Sequence, residues 1–345
     1  MNFKDIVISY HCTLRETLVQ LDKAGGSNQT LFVINDQEQV IGSITDGDIR
    51  RALIKRGNLD EHLDQFCHRE FRFFNAKNLS LSTLKEFKAK GLEIIPYLNE
   101  EGRIVRIYKL SEIKSLLPLD AVLMAGGKGE RLRPLTEKTP KPLLKVGDKS
   151  IIDYNIDNLI QFGVENISVT VNYLGEQIEK HFEASREGIK IRCVREPQYL
   201  GTIGSIKFVD NFRNDTVLLM NSDLFTNINF EDFYLHFKEN NADMSIAAIP
   251  YSVTVPYGIF ELEEREIKGI KEKPTYNYYA NSGIYLIKRE LLDLIPDGIF
   301  YNATDFIEKL VKENYHVVRF PLMGYWIDIG KHEDYKRAQE FVKHL

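Results

Sequence analysis

In the run Leu123-Met124-Ala125-Gly126-Gly127-Lys128-Gly129-Glu130-Arg131-Leu132-Arg133-Pro134-Leu135-Thr136, continued by Pro140-Lys141-Pro142-Leu143-Leu144, three glycines stand directly behind a short apolar segment, Ala121 to Met124. An apolar segment of that length bounded by glycine predicts a buried strand. Glycines after it let backbone N–H groups approach phosphate oxygens closely, so the predicted chemistry is polyphosphate binding. The loop is not a P-loop, because Gly-Lys-Ser/Thr is absent, and it is not the dinucleotide fingerprint, because charged and bulky residues replace the third glycine of GxGxxG. Arg131 follows the loop and Lys141 comes ten residues later, two cations that could converge on the phosphates. A glycine-rich turn with solvated charges is the plainer alternative.

The elements that must position this loop follow from the pattern beyond it. Ile151 to Phe162 has helical apolar spacing and stops at Gly163; Ile167 to Val171 reads as a strand, Gly175 to Glu183 as a helix and Ile189 to Val194 as a strand. Gly201 to Phe208 reads as a helix start, Thr216 to Met220 as a buried strand, and Ala303 to Asn314 and Lys331 to Leu345 as closing helices. This alternation predicts an α/β fold with a doubly wound, mostly parallel sheet and ligands at the carboxyl ends of its strands. Asp223, in Asn221-Ser222-Asp223 after the last of these strands, is predicted to point into that crevice.

LMAGGKGERLRPLT followed by PKPLL resembles the sugar-1-phosphate nucleotidylyltransferase family, and the resemblance covers about two thirds of the chain. It implies that family's Rossmann-like fold and a reaction in which a nucleoside triphosphate and a sugar 1-phosphate give a nucleoside-diphosphate sugar and pyrophosphate. By the same resemblance, Arg131 and Lys141 are catalytic, Arg131 on the departing phosphates and Lys141 on the α-phosphate and the incoming sugar phosphate. Leu123, Ala125, Gly126, Gly127, Glu196, Gly201 and Thr202 are implied to bind the nucleotide. Gly258, Glu272, Lys273 and Asn281, in Tyr257-Gly258, Glu272-Lys273-Pro274 and Asn281-Ser282-Gly283-Ile284-Tyr285, are implied to meet the sugar and its phosphate.

The family places a magnesium-binding aspartate where Asp223 stands and a second where Asp328 stands, in Tyr325-Trp326-Ile327-Asp328-Ile329-Gly330. Either aspartate alone would serve as a cap or turn residue. As a pair they suit Mg2+, which takes one or two carboxylates and completes its octahedron with water and phosphate oxygens. Uridylyl- and thymidylyltransferase relatives often carry glutamine where Glu196 falls in Glu196-Pro197-Gln198-Tyr199-Leu200-Gly201-Thr202. A carboxylate only accepts, and guanine offers two adjacent donors, so GTP is the predicted substrate, with UTP or CTP the alternative. A rival reading is a catalytically silent fold serving as a nucleotide sensor; intact Arg131, Lys141, Asp223 and Asp328 speak against it.

Ahead of this module, residues 1–117 contain a duplication. Thr13-Leu14-Arg15-Glu16 has the capping-box form, and Leu14, Leu18 and Leu21 mark a helical face that ends near Gly25-Gly26. Strands at Leu31 to Ile34 and Val40 to Ile44 follow, and Thr45-Asp46-Gly47-Asp48 opens another helix. About 64 residues later the unit recurs: a helical face at Leu81, Leu84 and Phe87, strands at Glu93 to Leu98 and Ile104 to Tyr108, and a helix start at Ser111-Glu112-Ile113. The repeat resembles a CBS motif, and the pair a CBS module of the kind that binds adenosine nucleotides. That resemblance implies an adenine or guanine nucleotide effector held by Thr45 and Asp48, which would equally cap a helix; the second repeat has Lys109 and Glu112 at these positions, leaving at most one intact site. Leu116-Leu117-Pro118-Leu119 joins the modules 1–117 and 118–345, and its shortness and apolarity predict packed domains.

The 345 residues carry a formal net charge of -5 with acids and bases interspersed, so nothing in them suggests a nucleic-acid footprint and no nucleic-acid partner is expected. Cys12, Cys67 and Cys193 are odd in number and widely spaced, arguing against a disulfide framework or a thiolate metal site. Met1 to Asp5 lacks the apolar core of a signal peptide and no apolar stretch has the length of a membrane span, so a cytoplasmic protein without a membrane partner is expected. Both families commonly form dimers, so a homodimer is the expected assembly. Two-module proteins of this layout resemble enzymes that activate amino-sugar or heptose phosphates for bacterial surface glycans.

Overall fold

The computed structural model describes residues 3–24, 30–56, 58–186 and 188–344, and the chain divides into two compact units, Met1–Leu116 and Leu117–Leu345. In the first unit β1 (Val7–Ser9) is followed by α1 (Leu14–Ala24). The capping box forms as expected, with Thr13 N donating to Glu16 Oε2 at 2.8 Å and Glu16 N to Thr13 Oγ1 at 3.3 Å. The helix stop expected at Gly25-Gly26 lies outside the described residues. β2 (Thr30–Ile34) pairs parallel with β1 and antiparallel with β3 (Val40–Thr45), which leads into α2 (Asp46–Arg56).

The second repeat has α3 (Leu81–Ala89), β4 (Ile94–Leu98) and β5 (Ile104–Lys109), and Phe74 takes the place of β1 through a parallel bridge to Tyr97 in β4. The helix expected from Ser111 is absent; a turn at 110–112 gives way to irregular chain through residue 119. Two local causes account for this. Lys109 and Glu112 form an ion pair at 2.8 Å where the first repeat has a capping box, and Pro118 disfavours helical conformation at Leu117.

The second unit is built on a seven-stranded sheet. Its strands are β6 (Asp120–Ala125), β9 (Asn166–Val171), β10 (Arg192–Arg195), β11 (Thr216–Asn221), β13 (Met244–Thr254), β16 (Thr275–Lys288) and β17 (Val317–Pro321); between β6 and β9 the chain forms a short hairpin of β7 (Lys145–Val146) and β8 (Lys149–Ser150). The order is β10-β9-β6-β11-β16-β13-β17, and β16 alone runs against the rest. Four more strands stand outside this sheet: β12 (Leu224–Thr226) pairs with β18 (Trp326–Asp328), and β14 (Ile259–Glu263) with β15 (Glu266–Lys271).

Helices cover both faces because the central strands are apolar on both. Ala121, Leu123 and Ala125 of β6 pack under α4 (Ile151–Gln161), α5 (Gly175–His181) and α6 (Phe230–Glu239), and Val122 packs on the other side with Phe306 and Leu310 of α7 (Ala303–Lys312). The segment after Gly201 forms a single 3-10 stretch, Gly204–Phe208, in place of the expected helix. α8 (His332–Val342) closes the chain. No helix among the described residues is long and apolar enough to cross a membrane.

Candidate active site

A cleft of about 620 Å³ opens where β6, β9 and β11 end, lined by the glycine loop on one side and by Glu196, Gly201 and Thr202 on the other. Ten of the residues singled out in the sequence line it: Ala125, Gly126, Gly127, Arg131, Lys141, Glu196, Gly201, Thr202, Asp223 and Asp328. The loop turns through Gly129, which is left-handed at φ 62° and whose carbonyl accepts from Thr136 Oγ1 at 2.8 Å.

A small apolar cluster beneath the cleft explains why four charged side chains from distant segments meet. Leu132, Leu144, Phe225, Ile327 and Ile329 are buried together against Ala338 of α8. Arg131 adjoins Leu132, Lys141 precedes Leu144 by three, Asp223 precedes Phe225 by two and Asp328 stands between Ile327 and Ile329. Strand alternation sends the isoleucines down and Asp328 up. Each fully buried aliphatic side chain contributes about 1.5–3 kcal/mol, enough to anchor its polar neighbour. The β12–β18 ladder sets the register, placing Leu224 opposite Asp328, with Ile329 N donating to Asp223 O at 3.2 Å.

Lys141, 8% exposed, bonds Asp223 Oδ2 through Nζ and lies 3.9 Å from Asp328 Oδ1. Asp223 Oδ1 is buried and unpaired. Burial, then the neighbouring Asp223 charge, raise the pKa of Asp328, and Lys141 and Arg131 partly offset this. An unpaired buried carboxylate oxygen beside a second carboxylate is a donor set that fits a hard divalent cation. Among the described residues no cluster of three or more His, Cys, Asp or Glu could hold a metal, so such an ion would need oxygens from substrate and water to complete its sphere.

Glu196 is 3% exposed and sits under the loop. Its Oε2 accepts from Leu200 N at 3.2 Å, and a Cβ placed on Gly126 would stand 1.9 Å from Oε1. Gly126 is therefore required by close approach of a carboxylate. Burial pushes the Glu196 carboxyl up to about 7. Thr202 Oγ1 accepts from Ala303 N at 2.8 Å, holding the start of α7 to the cleft wall.

Five predicted residues are not among those lining the cleft. Leu123 is wholly buried, its strand paired with β9 on one side and β11 on the other. Gly258, Glu272 and Lys273 lie on an arm formed beyond the sheet by the ends of β13 and β16 and by β14 and β15. Gly258 and Glu272 do meet there: a Cβ on Gly258 would stand 3.1 Å from Glu272 Oε2. Asn281 is at the base of that arm and donates to Tyr285 OH at 2.9 Å. Sequence reasoning missed Thr170 and Asn172, which line the cleft at the end of β9, and Ser222, whose Oγ donates to Met124 O at 2.6 Å. The rule that parallel strands present ligand residues at their carboxyl ends would have found Asn172.

Residues 120–344 match the profile of the family described as Nucleotidyl transferase, and the chain belongs to it. A mannose-1-phosphate guanyltransferase of Yarrowia lipolytica is 31% identical over 229 residues, covering 63% of this chain and 62% of that protein. A UTP--glucose-1-phosphate uridylyltransferase of Synechocystis is 28% identical over 241 residues, covering 64% and 62%. The chain spans about 62% of the length of these curated relatives. Among solved structures, HddC from Yersinia pseudotuberculosis complexed with GMP-PN superposes with a TM-score of 0.50 at 23% identity, over 65% of this chain and 99% of that one, a likeness of fold.

Proposed function

We propose that the second unit transfers a nucleoside monophosphate from a nucleoside triphosphate to a sugar 1-phosphate, releasing pyrophosphate. The observation that carries this reading is the meeting of Lys141, Asp223 and Asp328 at the mouth of the glycine loop. A sugar-phosphate oxygen attacks the α-phosphorus in line, the new P–O bond forms, and the bond from the α-phosphorus to the bridging oxygen of pyrophosphate breaks. No protein nucleophile is required. Backbone N–H groups of the loop hold phosphate oxygens, Arg131 balances charge on the leaving pyrophosphate, and Lys141 turns from Asp223 to the α-phosphate and the incoming phosphate. Asp223 and Asp328 would hold Mg2+, whose part is to neutralise phosphate charge. Glu272, Lys273, Asn281 and Gly258 are assigned to the acceptor sugar phosphate by family resemblance.

GTP is the proposed donor, because a carboxylate at Glu196 accepts from guanine N1–H and the exocyclic amine together. The 28% identical uridylyltransferase relative keeps UTP as the second reading. Release of pyrophosphate from a panel of the four nucleoside triphosphates with mixed hexose and heptose 1-phosphates tests both. No release with any pair would refute the activity, and equal or better kcat/KM with UTP or CTP than with GTP would refute the base. A role in bacterial surface glycan synthesis is part of the same proposal.

For the first unit, we propose a CBS pair that binds one adenine or guanine nucleotide through Thr45 and Asp48 and regulates the transferase. The like arrangement of β1, β2 and β3 and of Phe74, β4 and β5 supports it. In the structure these two residues form the capping box of α2: Thr45 Oγ1 donates to Asp48 Oδ2 at 2.7 Å, and Asp48 N donates to Thr45 Oγ1 at 3.2 Å.

A further inference from the structure

α4 turns its apolar side inward, and Ile151, Ile152, Ile156, Leu159 and Ile160 are each at most 4% exposed. Asn155 stands among them at 3% exposed. A buried amide costs free energy unless its hydrogen bonds are made, and asparagine is a poor helix former, so an aliphatic residue would serve packing better at this position. The amide has a specific task instead. Its Nδ2 donates to Leu224 O at 2.8 Å and to Ser222 O at 3.4 Å, the carbonyls on either side of Asp223.

The pairing of β11 with β6 runs out at Asn221 and β12 begins at Leu224, so the turn that carries Asp223 is held by bonds outside the strand ladders. Ser222 N and Oγ both donate to Met124 O, at 3.2 and 2.6 Å, and Asp223 O accepts from Ile329 N at 3.2 Å. The carbonyls of residues 222, 223 and 224 are thereby tied alternately to α4 and to the segment that carries Asp328. The same helix reaches the cation of the site: Ile151 N donates to Leu144 O at 3.0 Å, just past the 3-10 turn Lys141–Leu143. One rigid element thus sets Lys141 and Asp223 relative to each other.

We propose that Asn155 is a positioning residue for the divalent cation, fixing the turn at 222–224 so that one oxygen of Asp223 lies on Lys141 and the other, Oδ1, stays buried and unpaired. This rests on the reading of Asp223 and Asp328 as the Mg2+ carboxylates given above. A buried oxygen without a donor is unfavourable in itself, and it persists where the backbone behind it is held. Once the turn is freed, Asp223 can rotate to pair both oxygens with Lys141 or with water, and a cation must break those bonds before it binds. Groups that orient the ligands of a metal typically carry about 10- to 100-fold of its affinity. The plainer alternative, that Asn155 only satisfies two buried carbonyls, predicts a loss of stability with no loss of metal affinity.

Titration of the full chain with Mn2+, followed by water-proton relaxation with GTP present and sugar phosphate absent, separates the two without turnover. Asn155→Leu, which keeps the volume and removes the donor, is expected to bind Mn2+ ~10- to 100-fold more weakly than the parent. Steady-state assays should show the same rise in the Mg2+ needed for half activity, with the KM for sugar 1-phosphate unchanged at saturating Mg2+. Asn158→Leu is the control: its Nδ2 donates from the same helix to Ile228 O at 3.4 Å, and its loss should lower the melting temperature and leave Mn2+ affinity at the parent value. Linkage gives a readout on the unsubstituted chain. A clamp that favours the metal is favoured by it to the same factor, so Mg2+ with GTP should slow solvent exchange of the Asn155 side-chain amide ~10- to 100-fold, and this measurement decides alone should Asn155→Leu not fold. Parental Mn2+ affinity in Asn155→Leu, or amide exchange indifferent to the metal, would overturn the proposal. Asp223→Asn distinguishes the levels of failure: if it binds Mn2+ as the parent does, the metal reading itself falls and this inference with it; if it loses Mn2+ and Asn155→Leu keeps it, the carboxylates stand and the role of Asn155 alone is refuted.

Discussion

The contact between Gly126 and Glu196 allows a substitution with a calculable consequence. In Gly126→Ala the new methyl would stand 1.9 Å from Glu196 Oε1 and 3.4 Å from Asn172 Cβ. A carbon and a carboxyl oxygen settle at about 3.3–3.6 Å, so the carboxyl must retreat by roughly 1.5 Å or the loop must lift by as much. Retreat breaks the 3.2 Å bond from Leu200 N and strands a buried polar group, at about 1–3 kcal/mol; overpacking costs are of the same size. At tenfold per 1.4 kcal/mol, the nucleotide KM should rise roughly 5- to 150-fold, with a lower melting temperature. Steady-state pyrophosphate release and thermal unfolding on Gly126→Ala, Glu196→Ala and the double variant form a cycle. Removing the carboxyl removes the obstacle, so the double variant should be more stable than the sum of the single effects. Additive effects on stability, or a Gly126→Ala protein with parental stability and KM, would refute the claim that this glycine is required by the carboxyl beneath it.

Four other outcomes are expected. Because the Glu196 pKa is raised from 4.5 to about 7 in the folded protein, its contribution to stability is complete below pH 4.5 and is lost as pH rises through 7, while carboxylate for guanine becomes available; melting temperatures and GTP binding from pH 5 to 8 should move oppositely, and Glu196→Gln should flatten both. Arg131→Ala and Lys141→Ala should each lower turnover ~10²- to 10³-fold, and Lys141→Ala alone should also lower stability, since it leaves Asp223 and Asp328 unscreened; near-normal turnover would remove the residue from the mechanism. Asp223→Asn and Asp328→Asn should each raise the Mg2+ concentration needed for half activity, and parental Mg2+ dependence in both would place the metal elsewhere. Asp48→Ala should lose about 1 kcal/mol of stability as a broken cap and should also lose nucleotide binding; calorimetry with AMP, ADP, ATP and GMP on parent and variant separates an effector site from a cap alone.

The local chemistry of this protein was legible in its residues. A buried strand running into glycines, a cation after them and a helix with its stop are all encoded within a dozen neighbours, so the loop and the strand–helix alternation from Ala121 to Val194 are visible without a structure. The capping box at Thr13 is similarly local. By contrast, the absent helix at Ser111 shows how one missing cap and a proline at 118 override a repeat pattern.

Only the tertiary structure decided how distant residues meet. Asp223 and Asp328 come together through the register of β12 on β18, and a register is a non-local property set by which apolar side chains share a cluster. Lys141 on Asp223 and Glu196 beneath Gly126 are likewise products of packing, because nothing in the spacing of residues 126 and 196 says that one leaves room for the other. The same holds for the arm, for which the sequence reading gave no strands: beyond Ala248, β13 and β16 leave the sheet with Tyr251, Val253, Tyr276 and Tyr278 uncovered. Sequence pattern sets which face of a strand is apolar; what comes to lie against that face is settled by the rest of the molecule and by its neighbours.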